Sequence, residues 1–409
     1  MSEPQAPGGP LAGVTVVALE QAVSAPLCTR TLADLGARVI KVENPRGGDI
    51  ARDYDDVVNG LAAHFVWVNR AKESVTLNLK EPAGLDVLHR LLAEADVLVS
   101  NLAPGATARL GIAAADVEAR HPHLVALEIS GYGTGGPLSD RRAYDLLVQA
   151  ESGACSITGR PGAPAKPGPP MADACTGLYA AISILATLHD RGRTGRGSTV
   201  AVSMFDTMTE LMGYALNHTR HTGVDQEPVG MGSPAVSPYG AYRTADAQTV
   251  VLGTTNDQEW QRLAGGMMGR PDLAADERFL RNPDRVVHRD LLDAQVAAWC
   301  ARHDLAEVQA AANAAGIGNA RYNTPSDVVT HPHLTARDRW REIDSPVGKL
   351  PALLPPPIIA GHEPVMGAVP GLGEHTDAVL AGVGLSEQEI AELRACGAIG
   401  PAYVPADQR

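Results

Sequence analysis

VTVVALEQAVSAPLCTRTLADLGARVIKVE, residues 14–43, reads as a strand, a helix and a second strand in unbroken succession. Residues 14–19 are an apolar run suited to a buried strand. Pro26 stands where helices begin, and Leu27, Thr31, Leu32 and Leu35 share one helical face. Gly36 stops that helix, and residues 39–42 form the next strand, ending at Glu43. A strand, helix and strand within about 30 residues is a βαβ unit with a parallel pair. The alternation continues with a strand over 74–79, a helix over 85–92 and strands over 97–100 and 124–129. The glycine-rich loop GYGTGGP follows at 131–137, then a helix over 144–150 and a strand over 200–204. This pattern predicts a Rossmann-like, doubly wound parallel sheet whose ligands lie outside the carboxyl ends of the strands.

A nicotinamide dehydrogenase is the first function such a sheet suggests, and Glu43 sits where a ribose-binding acid would be. The first turn, EQAVSAP at 20–26, has no glycine, so a pyrophosphate could not approach its backbone. GYGTGGP lacks the Gly-Lys-Ser/Thr ending of a phosphate-binding loop, which sets aside the nucleotide triphosphatases. The 409 residues suit two domains, 44% hydrophobic and 20% charged as in a soluble globular protein. With 34 basic against 47 acidic residues the net charge is −13, which disfavours a nucleic-acid or anionic-membrane binder. Cys28, Cys155, Cys175, Cys300 and Cys396 show no CxxC pair and no metal-ligand spacing, as expected of reduced thiols without a metal site. The N-terminal MSEPQAPGGP has no export signal, and no apolar run approaches the ~20 residues that span a bilayer. A cytoplasmic location is expected.

The stretch PGPPMADACTG, residues 167–177, is a stiff lead-in to a helix, since its prolines can continue neither a helix nor a central strand. Leu178, Ala181, Ile182, Leu185 and Leu188 mark one apolar face of that helix, and Gly192 would cap it. Asp173 lies at its N-terminal edge. It reads either as a helix N-cap or as a carboxylate kept ionised by free backbone N–H groups and aimed at an electrophile. Further on, 205–212 continues as helix and 214–229 reads as a polar linker. A strand over 249–253 and helices over 260–267, 291–300 and 305–315 make a smaller α+β domain at 230–325. A return linker covers 326–370, proline-rich from 346, and residues 371–409, with a helix over 387–395, complete the large domain that opens with 1–213.

Taken together, LADLGARVIKVE (32–43), GGD (47–49), NRAKESVTLNLK (69–80), NLAPGATARLG (101–111), SGYGTGGP (130–137), AYDLLVQAESG (143–153), PGPPMADACTG, TGRGSTVAVSM (194–204) and LGEHTDAVL (372–380) resemble the family III CoA-transferases, or CaiB/BaiF group, in the same order. That group also contains the α-methylacyl-CoA racemases. The resemblance implies an acyl-CoA:carboxylate CoA-transferase with Asp173 as nucleophile, working through a mixed anhydride and an aspartyl-CoA thioester. It implies CoA contacts at Val23, Ser24, Leu77, Asn78, Leu79, Lys80, Asn101, Leu102, Arg109 and Arg142, and at Tyr144 and Asp145 in the AYD motif. Asn44 stands where formyl-CoA transferases have arginine, so the grip on CoA would differ there. Coenzyme A or its thioester is substrate, and no permanently bound cofactor or metal is implied. The racemase branch uses a histidine in a GHD motif, where this chain has Tyr144 in Ala143-Tyr144-Asp145. A tyrosine, with pKa about 10, is a poor neutral-pH proton shuttle. The alternatives are thus a 2-methylacyl-CoA racemase or a catalytically inactive CoA-binding protein. EQAVSAPLCTR, residues 20–30, resembles branches acting on four- or five-carbon dicarboxylic acids. Family members form interlocked, ring-like homodimers, and a homodimer is expected.

Overall fold

The computed structural model describes residues 8–405 and divides the chain into two compact units. The first holds, of the described residues, 8–152, 168–212 and 337–405; the second holds 153–167 and 213–336. In the first unit β1 (Thr15–Leu19), α1 (Ser24–Asp34), β2 (Arg38–Glu43), α2 (Ala63–Asn69), β3 (Lys72–Thr76), α3 (Pro82–Glu94), β4 (Val97–Ser100), α4 (Ala106–Arg109), α5 (Ala114–Arg120), β5 (Val125–Ser130) and α6 (Asp145–Glu151) follow in order. A short hairpin of the second unit, β6 (Gly159–Arg160) with β7 (Ala163–Pro164), interrupts the sequence. The chain then returns with α7 (Met171–Thr194), β8 (Thr199–Ser203) and α8 (Met204–Leu211).

The six strands lie parallel in the order β3-β2-β1-β4-β5-β8. Val17 sits at the centre, in register with Ile40 of β2 on one side and Leu98 of β4 on the other. Parallel strands covered on both faces need continuous apolar runs, and Val16, Val17 and Ala18 of β1 are fully buried. One face packs Val87, Leu88, Leu91 and Leu92 of α3 with Val379, Leu380 and Ile390 from the C-terminal helices Thr376–Gly382 and Glu387–Ala395. Strand order reverses between β1 and β4, which opens a crevice at their carboxyl ends.

The α1–α7 pairing fixes the site. Their backbones come together at Gly177, where a Cβ would lie 2.4 Å from the Ser24 carbonyl oxygen. Only glycine permits that approach. The buried residues of α7 are therefore the small ones: Ala172, Thr176, Gly177, Ala180 and Ala181, with Ile184. This corrects the expected apolar face, since Leu178 and Ile182 are exposed in the single chain. Gly195, in the left-handed conformation at φ 71°, caps the helix in place of Gly192, which lies within it. At 24 residues α7 is long and apolar enough to cross a membrane by length and composition alone. It also carries Asp173, Asp190, Arg191 and Arg193.

The second unit is built on the antiparallel sheet of β9 (Tyr239–Arg243), β10 (Thr249–Gly253) and β11 (Gly318–Arg321), in the order β11-β10-β9. Trp260, Phe279, Leu292, Val296, Trp299 and Val308 fill its core. Part of the expected linker at 214–229 is helix, Gly213–Thr222, and belongs to this unit. The unit also takes in 153–167 and runs to 336, beyond the expected boundaries of 230 and 325. The return segment is not wholly extended either: Trp340–Ile343 pairs with Leu350–Leu353 as a hairpin.

Candidate active site

Asp173 is the third residue of α7, in its first turn, and Pro170 occupies the N-cap. Two of the first N–H groups of the helix are already taken, where the sequence expectation left them free for this carboxyl. Asp145, first residue of α6, reaches across with its Oδ1, which accepts the N–H of Ala172 at 2.9 Å and that of Asp173 at 3.4 Å. Asp173 is instead approached from α1, whose Ser24 side chain acts to lower its pKa. Val23 at the N-cap of α1, Leu27 of α1, Val68 of α2 and Ala174 form an apolar cluster next to it. Burial first, and the Asp145 carboxylate second, push the Asp173 pKa up to about 7, against the opposing pull of the Ser24 side chain. A helix N-terminus alone would lower it; here another acid occupies the N–H groups. The Tyr54 hydroxyl lies within electrostatic reach of Asp173, Asp49 and Tyr144.

A cleft of about 670 Å³ opens at the carboxyl ends of β1 to β4. Of the sequence candidates it is lined by Asn44, Leu77, Asn78, Leu79, Lys80, Leu102 and Arg109. Leu85 and Leu110 add apolar wall, so the cleft joins two cations to a greasy slot. The remaining candidates lie elsewhere. Val23 and Ser24 belong to the Asp173 group. Asn101 does not line the cleft, because its amide clamps the turn after β1, accepting the Gln21 N–H at 2.9 Å and donating to the Gln21 carbonyl at 2.8 Å. Arg142 is exposed on the loop before α6, outside the cleft. Tyr144 is the N-cap of α6 and also exposed. Both groups of residues belong to the first unit.

Glu20, Glu43 and Asp49 also line the cleft, and they belong to a buried network of charges that sequence reasoning missed. Lys41 Nζ meets Asp49 Oδ2 at 2.7 Å and Glu20 Oε1 at 3.3 Å, and Lys72 Nζ meets the same Glu20 oxygen at 2.6 Å. Thr29 donates to Glu20 Oε2 at 2.6 Å. Glu43 accepts from Arg52, from Ser74 at 2.6 Å and from the Asp49 N–H at 2.9 Å. Glu43 is therefore engaged within the protein, not poised for a ribose. Burial opposes every one of these charges, but Lys72 and Lys41 hold the Glu20 carboxyl below its usual range, and Arg52 brings Glu43 down to about 2. Lys72 itself is lowered to about 8, by burial and by the neighbouring Lys41. The one signal available was Lys41 inside the apolar strand RVIKVE, and an isolated lysine reads as surface.

Comparisons with known proteins converge on a single family. The sequence model for CoA-transferase family III matches residues 11–376. The succinyl-CoA–D-citramalate CoA-transferase of Chloroflexus aurantiacus is 31% identical over 96% of this chain and 98% of its own. The succinate–glutarate CoA-transferase of Agrobacterium fabrum is 32% identical over 91% and 95%. Among solved structures, a CaiB/BaiF family protein from Brucella suis superposes with a TM-score of 0.79 at 32% identity, over 92% of this chain and 99% of that one.

Proposed function

The chain belongs to CoA-transferase family III, and on that premise we propose that it exchanges CoA between an acyl-CoA and a four- or five-carbon dicarboxylic acid through the side chain of Asp173. The observation that carries this reading is the setting of that carboxyl. It lies in the first turn of α7, largely withdrawn from water, with a hydroxyl donor on one side and a pKa of about 7. A carboxylate stripped of water and still ionised over half of its population at neutral pH is a competent nucleophile. The citramalate and glutarate enzymes act on acids of the proposed size, which supports the substrate class.

In the proposed sequence an Asp173 oxygen attacks the thioester carbonyl, and the C–S bond breaks to release CoA thiolate and leave a mixed anhydride. The thiolate attacks the aspartyl carbonyl of that anhydride, expelling the donor acid as carboxylate and leaving aspartyl-CoA thioester. The acceptor carboxylate displaces the thiolate again, giving a second anhydride. Thiolate attack on its acceptor carbonyl releases the new acyl-CoA and restores Asp173. No net proton is consumed, so the carboxylate form of Asp173 must be present at the start and is regenerated at the end. Lys80 and Arg109 are the cations proposed to meet the CoA phosphates, with Leu79, Leu102 and Leu110 against the adenine.

Asp173→Ala should abolish transfer from succinyl-CoA to glutarate, citramalate or malate, followed by mass spectrometry of the thioesters, while circular dichroism remains that of the parent. Transfer at more than about a thousandth of the parent rate would remove Asp173 from the nucleophile's role, since covalent catalysts lose at least that much with their nucleophile.

A further inference from the structure

The turn between β1 and α1 is held more tightly than a connection needs to be. Asn101 clamps both backbone groups of Gln21. Next comes Ala22, in the left-handed conformation at φ 64°. An alanine persists there only where its surroundings impose it. What imposes it is Asp49, whose Oδ1 accepts the Ala22 N–H at 2.9 Å and the Ala51 N–H at 2.9 Å. The other oxygen of Asp49 is fixed by fully buried Lys41 at 2.7 Å. Lys41 also meets the Glu20 carbonyl oxygen at 3.4 Å, at the start of the same turn. Two residues beyond Ala22 lies Ser24, first residue of α1, whose carbonyl oxygen sits against Gly177 one turn on from Asp173 and whose hydroxyl pulls the Asp173 pKa down.

We propose that Asp49 is a positioning residue for Asp173: by holding the left-handed turn at Ala22 against the buried charge chain, it presents the Ser24 hydroxyl to the carboxyl. The proposal deepens the reading of Asp173 as the nucleophile and rests on it. It explains why a strained alanine sits between a strand and a helix that a relaxed turn could join. It also gives the buried lysines a task beyond stability, since a buried ion pair is costly to assemble and its common use is to fix one arrangement.

The test reads the titration of Asp173 directly, in the full-length protein with isotope-labelled aspartate, its carboxyl resonance assigned by loss of the signal in Asp173→Asn. The groups facing that carboxyl are Asp145 from α6, Ser24 from α1 and the nearby Tyr54. Ser24→Ala should raise the midpoint by about one pH unit, the worth of a hydrogen bond to a charged acceptor. Asp49→Ala, which removes both acceptor oxygens, should raise it too. Direct loss of a negative charge would instead lower it, so the sign separates positioning from simple electrostatics. Combined with Ser24→Ala, Asp49→Ala should move the midpoint no further, because both act through one hydroxyl. Ala22→Val leaves every charged partner in place and only disfavours the left-handed turn. It should shift the midpoint in the same direction, and it decides the matter if Asp49→Ala does not fold. A midpoint that falls or stays put in the folded variants, or shifts that add, overturns the proposal. Failure of the nucleophile reading would show separately, as surviving transfer in Asp173→Ala.

Discussion

A carboxyl that titrates near 7 ties this protein's proposed chemistry to pH more steeply than an ordinary aspartate would. Below that value the nucleophile is protonated, and transfer should fall about tenfold per pH unit. Asp145→Asn tests the cause. The amide oxygen can still accept the Ala172 N–H, so the start of α7 is kept while the repelling charge is lost. The acid limb of kcat/KM should therefore move down in pH, and a limb that stays or moves up would mean burial alone sets the value. The place of Asp173 at a helix start was legible, because stiff prolines followed by an acid at a helix start is a local pattern. Its proton affinity was not, because Asp145 lies 28 residues away in sequence and nothing local announces that it takes the helix N–H groups.

Between whole elements, the α1–α7 contact is the sensitive one. Gly177→Ala would place a methyl 2.4 Å from the Ser24 carbonyl oxygen, against backbone that cannot swing aside. The helices must part, at about 1–3 kcal/mol of stability, and Ser24 must move relative to Asp173. Thermal unfolding should show the loss, and kcat should fall further than KM rises. A variant as stable and active as the parent would mean the contact is loose. The strands were readable because burial on both faces leaves a plain apolar run, as in TVVAL of β1. The helix face of α7 misled for the opposite reason. Its bulky residues are periodic, but close packing of two helices selects the small residues beside them, Ala172, Gly177 and Ala180. The helix Gly213–Thr222 escaped because its exposed, polar surface carries no stripe to read.

On the scale of the whole molecule, that displaced apolar face needs a cover. Leu178, Tyr179 and Ile182 on α7, Leu146 and Leu147 on α6 and Leu211 on α8 are all exposed in the single chain. Exposed apolar surface of this kind marks an interaction site. A second copy, expected from the resemblance, is the proposed cover. Sedimentation at nanomolar protein should find a species of about 85 kDa, twice the 42.7 kDa chain, that persists on dilution. Ile182→Asp should yield monomer or insoluble protein. A folded, soluble monomer of the parent at these concentrations would send the face to some other partner.

The free side of β3 belongs to the far end of the chain. Gly373 donates to Ser74, Thr376 accepts the Thr76 N–H, Gly400 donates to Thr76, and Leu77 bridges to Ile399. During synthesis, then, the strands of the cleft emerge first and wait for their cover through some three hundred residues of translation. A chain halted before Gly371 leaves a raw sheet edge and a bared patch of core, the marks by which a protease or chaperone recognises unfinished work. Ribosomal stalling late in this message should therefore produce degraded fragments and never a partly working enzyme.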